Sequence, residues 1–199
     1  MGHDGPVNRR HFPTFLVPFL VLLVGSCLVM ASVAPAQAAK LPSKRHWVKD
    51  TRKAMRGSRA WIDTRVAHPK PADGHLAVNL DIDNTALATK YARGKAVAVT
   101  LRFVKYADAH GVAILFNTGR LGTQLSGITA QLRAAGYPVD AICGRHSNER
   151  LVKGKQRCRS EYVAEGYTII ANVGNRSTDF TGGGYERAFR LPSYHNRLG

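Results

Sequence analysis

The residues with the clearest chemical potential are two aspartates at the end of an apolar run. The segment "LAVNLDIDNTALAT" places Asp81 and Asp83 two residues apart, directly after the apolar stretch. On an extended chain, side chains at positions i and i+2 point to the same side. Such a pair can supply a nucleophile and a general acid–base group to one reaction. The alternative is a turn in which the two carboxylates only cap backbone groups.

Further residues of types that bind phosphate or metal follow two later apolar runs, in "FNTGR" and "NVGNRSTD", and a lysine precedes the second run. In a parallel sheet, ligands bind in the crevice outside the carboxyl ends of the strands. We therefore expect these side chains to converge on one edge of the sheet. They are Asn117, Thr118, Gly119, Arg120, Lys155, Asn175 and Asp179.

Apolar runs and helical patterns alternate regularly from His75 onward. Gly111, Gly136 and Gly166 each follow a predicted helix, where a C-terminal cap favours glycine. The β-α-β order predicts an α/β, Rossmann-like fold with a mostly parallel sheet and helices on both faces. The predicted strands are Leu76–Ile82, Val112–Phe116, Ala141–Cys143 and Thr168–Asn172, and the predicted helices are Ala96–His110, Thr123–Ala135 and Lys155–Glu165.

The order of the motifs, DxD, Thr-Gly-Arg, Lys and GNxxxD, resembles that of the haloacid dehalogenase (HAD) superfamily of phosphotransferases. The details are similar to its secreted acid phosphatase branch, class B or subclass IIIB, which includes plant vegetative storage proteins. The resemblance runs from His75 to the ending "RAFRLP", which is similar to the usual C-terminal strand of that branch. It implies an enzyme that hydrolyses small phosphomonoesters.

The resemblance also implies roles for individual residues. Asp81 would be the nucleophile that forms an aspartyl-phosphate, and Asp83 would protonate the leaving group and then activate water. Thr118 would hydrogen-bond the transferring phosphoryl group, and Lys155 would offset its negative charge. The simpler alternatives are a helix cap for Thr118 and a solvated helix end for Lys155. The remaining substrate-binding residues would be Asn117, Gly119 and Arg120.

A magnesium ion is the cofactor that the resemblance implies. It would take oxygens from Asp81, from the backbone carbonyl of Asp83 and from the fourth motif. That motif usually begins Gly-Asp in the family, whereas this chain has Gly174-Asn175 and keeps an acid only at Asp179. Asparagine can donate an oxygen, but one negative charge is missing. We therefore expect weaker magnesium binding, with either Asn175 or Asp179 as the direct ligand.

Residues 1–39 are predicted to be a signal peptide. Arg9 and Arg10 precede an apolar stretch, and "APAQAAK" follows it, which predicts cleavage after Ala38 or Ala39 and a secreted or cell-envelope protein. The alternative is a membrane anchor. Within the segment, "RRHF" resembles a twin-arginine export signal, and "VGSC" resembles a lipoprotein box that would place a lipid on Cys27.

The mature chain is strongly basic. Without Arg9, Arg10 and Asp4 it carries 27 Lys plus Arg against 12 Asp plus Glu, a net charge of +15, so anionic partners are favoured. A predicted helix over about 44–67 has a basic stripe and an apolar side with Trp47, Met55, Trp61 and Ile62. The stripe is either a solvated face or a contact for wall polymer, phospholipid headgroups or, less favoured, nucleic acid. Its residues are Arg45, Lys49, Arg52, Lys53, Arg56 and Arg59.

Two cysteines remain in the mature chain, Cys143 and Cys158. Because an exported protein meets oxidising conditions, we expect a disulfide between them. The alternative is a pair of buried thiols.

The chain has room for neither of the usual cap insertions of the superfamily. Only "LATKYARGKA" separates the DxD turn from the next helix, and one helix, one strand and a short loop fill the interval from Thr118 to Lys155. The sequence thus predicts a capless, positively charged crevice with broad specificity. The second candidate function is a basic binding or storage protein that kept the fold and lost turnover.

Overall fold

The structure, a computed structural model, describes residues 1–3 and 40–198 of the 199-residue chain. The predicted signal peptide, with Arg9, Arg10, Cys27 and the cleavage site, lies outside the described residues apart from residues 1–3. Within the described part of the chain, no helix is long and apolar enough to cross a membrane.

The basic amino-terminal segment forms two helices, α1 (Lys44–Ala54) and α2 (Ser58–Ala67). The prediction of one helix over about 44–67 was wrong at its centre. The chain breaks at Gly57, whose φ of 74° lies in the left-handed region that glycine adopts without steric cost. Trp47 and Ile62, on the predicted apolar side, are both buried.

Five parallel strands form one sheet in the order β3-β2-β1-β4-β5. The first strand therefore lies at the centre, between the second and the fourth. This arrangement confirms the predicted α/β, Rossmann-like fold and the short strand within "RAFRLP". The strands are β1 (His75–Leu80), β2 (Ala113–Leu121), β3 (Ala141–Arg145), β4 (Tyr167–Gly174) and β5 (Arg187–Arg190).

Helices cover both faces of the sheet. On one face, Val78 of β1 belongs to a buried cluster that includes Phe103 and Leu132 from two of the helices. On the other face, Ala77 packs in a cluster with Tyr162. Burial on both faces explains why β1 is apolar in sequence apart from His75 and Asn79. The helices after β1 are α3 (Ala98–Asp108), α4 (Leu125–Ala134) and α5 (Leu151–Ala164).

Helix α5 begins at Leu151, so the prediction that Lys155 opens this helix was wrong. Arg150 occupies the N-cap position without a side-chain cap. Lys155 instead lies in the second turn, and it is 3% exposed. A solvated helix end, the alternative considered for Lys155, is thereby excluded.

Cys143 and Cys158 form a disulfide, with their Cα atoms 5.6 Å apart. The expected pairing is therefore confirmed. The bond joins β3 to α5, one turn after Lys155 on the same helix.

Replacing both cysteines with alanine should lower the free energy of unfolding by about 3 kcal/mol, because the bond closes a loop of roughly fifteen residues in the unfolded chain. Chemical denaturation of the oxidised wild type and the double variant measures this difference. A reducing agent should destabilise the wild type and leave the double variant unchanged. Equal midpoints for the two oxidised proteins would contradict the prediction.

Candidate active site

A cavity of about 370 Å³ opens at the carboxyl ends of the strands. The sheet order reverses direction at β1, which has β2 on one side and β4 on the other. Ligand crevices of α/β sheets lie at such switch points. The cavity brings together seven of the residues predicted from sequence, namely Asp81, Asp83, Gly119, Arg120, Lys155, Asn175 and Asp179.

Asp81 lies at the floor of this cavity and directly follows β1. Its backbone N–H donates to the carbonyl of Val173 at 2.9 Å, so β4 fixes its position. Its Oδ1 accepts a hydrogen bond from Lys155 Nζ at 2.6 Å, and its Oδ2 accepts one from Thr85 Oγ1 at 3.1 Å. Burial, together with the nearby carboxylate of Asp179, raises the pKa of Asp81, although Lys155 opposes the shift.

Lys155 is the central cation of the floor. Its Nζ also donates to the carbonyl of Asn117 at 2.5 Å and lies 3.0 Å from Asp179 Oδ1. Burial lowers the pKa of Lys155, but the carboxylates of Asp81 and Asp179 outweigh burial and raise it overall. The lysine therefore stays charged. Because two buried carboxylates share one lysine, the floor has an excess of negative charge.

Asp83 lies closer to solvent and is held from two sides. Arg120 donates to its carboxylate from Nε at 2.9 Å and from Nη2 at 2.6 Å. Thr89 Oγ1 donates to Asp83 Oδ1 at 2.7 Å. Burial alone would raise the pKa of Asp83, yet the hydrogen bonds from Arg120 and Thr89 outweigh burial and lower it. Asp83 is thus a carboxylate in this arrangement.

The loop after β4 carries the fourth motif. Asp179 Oδ2 accepts hydrogen bonds from the backbone N–H groups of Asn175 at 3.0 Å and Arg176 at 2.9 Å. A Cβ on Gly174 would lie 2.5 Å from atoms of the Asp179 side chain, so only glycine permits this close approach. Asn175 is buried, and its Oδ1 has no hydrogen-bond partner among the described residues.

A buried arginine, Arg159 of α5, fixes the backbone of the same loop. Its guanidinium donates to the carbonyls of Asp179 at 3.0 Å, Thr181 at 2.5 Å and Gly183 at 2.6 Å. Asn172 Nδ2 donates to the Asp179 carbonyl as well, at 2.8 Å. Asp179 is therefore positioned by both its side chain and its backbone.

Asn117 and Thr118, which were expected to contact substrate, are each 1% exposed. Neither lines the cavity. Asn117 Nδ2 donates to the carbonyl of Lys155 at 2.8 Å, and Thr118 Oγ1 accepts from the backbone N–H of Arg120 at 3.2 Å. In this structure both side chains support cavity residues, and their contacts with phosphate stay predictions.

Several cavity residues were not predicted from the sequence. Asn84 has a φ of 57° and donates from Nδ2 to the carbonyl of Leu198 at 2.7 Å. This bond brings residues close to the end of the chain against the turn that follows Asp83. An asparagine directly after a DxD pair is a turn signal, but nothing in the sequence identifies its partner. The unpredicted cavity residues are Asn84, Thr89, Leu151, Arg176, Thr178 and Leu198.

Comparison with known proteins identifies the family of the chain. No curated protein matches the chain significantly. The family model "HAD superfamily, subfamily IIIB (Acid phosphatase)" matches residues 88–196, more than half of the chain. The matched range contains Thr118, Lys155 and Asp179 and begins after Asp81 and Asp83. The chain therefore belongs to subfamily IIIB of the HAD superfamily, the acid phosphatases, and is a phosphoric monoester hydrolase.

Proposed function

We propose that the protein is an exported, Mg²⁺-dependent acid phosphatase of broad specificity that works through an aspartyl-phosphate. The observation that carries the proposal is the position of Asp81, a carboxylate at the cavity floor held by Lys155 at 2.6 Å. A nucleophile in that place can be approached by a phosphoryl group through the open side of the cavity.

In the proposed reaction, Asp81 attacks phosphorus and the phosphorus–oxygen bond to the leaving group breaks. Lys155 offsets the charge on the transferring group. Asp83 is suited to accept a proton from the water that hydrolyses the aspartyl-phosphate, because Arg120 and Thr89 hold it as a carboxylate. To protonate a leaving group, Asp83 must first take up a proton. A move of Arg120 from Asp83 to the substrate would favour this, because it removes the hydrogen bonds that lower the pKa of Asp83.

The residues present fit a magnesium ion. Mg²⁺ prefers oxygen ligands, and the buried Oδ1 of Asn175 has no partner within the described chain. The excess of negative charge at the floor also favours a cation. Asp81, the Asp83 carbonyl, Asn175 and Asp179 supply the oxygens that would hold the ion. When bound, Mg²⁺ would neutralise part of the phosphoryl charge and so allow an anionic nucleophile to approach.

Replacing Asn175 with aspartate should tighten Mg²⁺ binding by about tenfold or more, because it restores a hard anionic ligand. Isothermal titration calorimetry of the metal-free protein measures the dissociation constant directly. Ser177→Asp, an exposed substitution in the same loop, is the matched control. Unchanged or weaker binding in Asn175→Asp would remove Asn175 from the metal site.

Hydrolysis of p-nitrophenyl phosphate with Mg²⁺ and with a chelator tests the proposed activity. We expect turnover that the chelator abolishes and added Mg²⁺ restores. Absence of turnover in the folded, metal-loaded protein would favour the storage-type function instead.

A panel of sugar phosphates, nucleoside monophosphates and phosphopeptides should differ in kcat/KM by less than about a hundredfold, because no cap domain is inserted in the described chain.

Export and surface attachment form part of the proposal. Mass spectrometry of secreted protein should show a chain that starts at Ala39 or Lys40, and a lipid-modified Cys27 would contradict this.

The basic face of α1 supports attachment to an anionic envelope surface, wall polymer or lipid. Its exposed lysines and arginines make no ion pair within the described residues. They are Lys44, Arg45, Lys49, Arg52 and Lys53. Sedimentation with anionic and neutral vesicles and with purified wall tests the attachment.

A further inference from the structure

The charges that line the active-site cavity are balanced in number, which differs from the positively charged crevice expected from the sequence. Two of the cations are already paired with carboxylates. Within residues 40–198, the side chain of Arg176 makes no hydrogen bond and no ion pair. The cations are Arg120, Lys155 and Arg176, and the carboxylates are Asp81, Asp83 and Asp179.

The backbone of Arg176 is held rigidly. Its N–H donates to Asp179 Oδ2 at 2.9 Å, and its carbonyl accepts from the Asp179 N–H at 3.1 Å. The residue as a whole is half-buried at the wall of the cavity. A guanidinium beside a cavity can bind a carboxylate or phosphate strongly, because its planar fork of donors matches the geometry of two oxygens.

Exposure within the cavity separates a floor from a rim. The side chains of Lys155 and Asp81 are 3% and 11% exposed, whereas those of Arg120 and Asp83 are 30% and 34% exposed. A phosphate attacked by Asp81 must reach the floor, so the rest of the ester extends toward the rim. A cavity of about 370 Å³ falls within the size range of small-molecule sites and has room for that part.

We propose that Arg176 binds a second anionic group on the leaving-group side of the substrate. The inference rests on the proposed phosphatase function and narrows its substrate class. Preferred substrates are phosphomonoesters whose leaving group carries a carboxylate or another phosphate. Arg176 acts here as a specificity residue, while Lys155 meets the transferring phosphoryl group.

The test compares 3-phosphoglycerate with glycerol 3-phosphate, which share a carbon skeleton and differ by one carboxylate. In the presence of Mg²⁺, kcat/KM is measured if the compounds are hydrolysed, and calorimetric affinity is measured if they are not. We expect the wild type to prefer 3-phosphoglycerate by about tenfold, a factor within the broad range proposed above. Arg176→Ala should bring the ratio to about one, and Arg176→Lys should retain part of the preference.

Arg133→Ala, which removes an exposed arginine of α4 outside the cavity, is the charge-matched control and should leave the ratio unchanged. Equal losses for both compounds in Arg176→Ala would overturn the proposal, because Arg176 would then bind the transferring phosphate. The proposal would also be overturned if the wild type hydrolysed or bound the two compounds equally well. It would be overturned too if the wild type bound neither compound. Preferential binding of 3-phosphoglycerate without its hydrolysis would support the role of Arg176 and contradict the proposed phosphatase function.

Discussion

Replacing Asp81 with asparagine should lower kcat for p-nitrophenyl phosphate by at least about a thousandfold, because the amide cannot form the aspartyl-phosphate. The protein should still fold. The asparagine oxygen can accept the hydrogen bond from Lys155, and Lys155 keeps its ion pair with Asp179. Steady-state kinetics and circular dichroism on the same preparation measure the two expectations together.

Asp108→Asn is the matched control for this variant. Asp108 is exposed at the end of α3 and does not line the cavity, so its replacement should leave kcat unchanged. Wild-type turnover in a folded Asp81→Asn protein would show that the nucleophile has been assigned to the wrong residue. This experiment matters because the family match begins after Asp81, so the first motif rests on geometry and resemblance.

Replacing Lys155 with methionine should reduce both activity and stability. The two buried carboxylates of Asp81 and Asp179 would lose their shared cation, and breaking a buried pair in this way costs about 3–5 kcal/mol. Turnover should fall at least about a hundredfold, because the buried cation that offsets charge on the phosphoryl group would be lost. Chemical denaturation and steady-state kinetics measure the two losses.

The pH dependence of this loss has a defined sign. Without Lys155, the folded-state pKa of Asp81 should rise further above its unfolded value, because only burial and like charges remain. A carboxyl group whose pKa is higher in the folded state stabilises the folded protein at low pH. That stabilisation is lost as the pH rises through the folded-state pKa. The gap in unfolding free energy between wild type and Lys155→Met should therefore widen from acidic to neutral pH.

Lys153→Met carries the same substitution at an exposed position on the same helix, and it should leave activity and stability nearly unchanged. Lys155→Arg retains the charge and shows whether a cation at this place suffices for folding. If the Lys155→Met protein were as stable as the Lys153→Met control at every pH, the buried carboxylates of Asp81 and Asp179 would not need this lysine for folding.

The sheet and most of the cavity could be predicted because parallel strands place their carboxyl ends together. Asp81 and Asp179 are distant in sequence, yet each follows a strand of the same alternating pattern, and β1 and β4 are neighbours. The interruption between α1 and α2 was missed because Met55 and Ile62, both buried, keep the helical spacing across Gly57. A single glycine is a weak signal against such a regular pattern.

The partners of polar side chains could not be predicted in the same way. Arg120 is paired with Asp83, a contact that the sequence did not predict, and its contact with substrate stays a prediction. That choice depends on the distance between two loops, which periodicity does not encode. For the same reason, the sequence gives no sign that Arg159 binds three loop carbonyls or that Leu198 meets Asn84.

The central place of β1 in the sheet has a consequence for synthesis of the protein. β1 leaves the ribosome before the other four strands of the sheet, but its neighbour β4 follows only after most of the chain has been made. Until then β1 can pair on one side alone, and Asp81 has no Val173 carbonyl to fix it. Non-local pairings of this kind form late and leave a strand edge open to other chains. A nascent chain that stops before β4 therefore has neither a complete sheet nor the candidate active site.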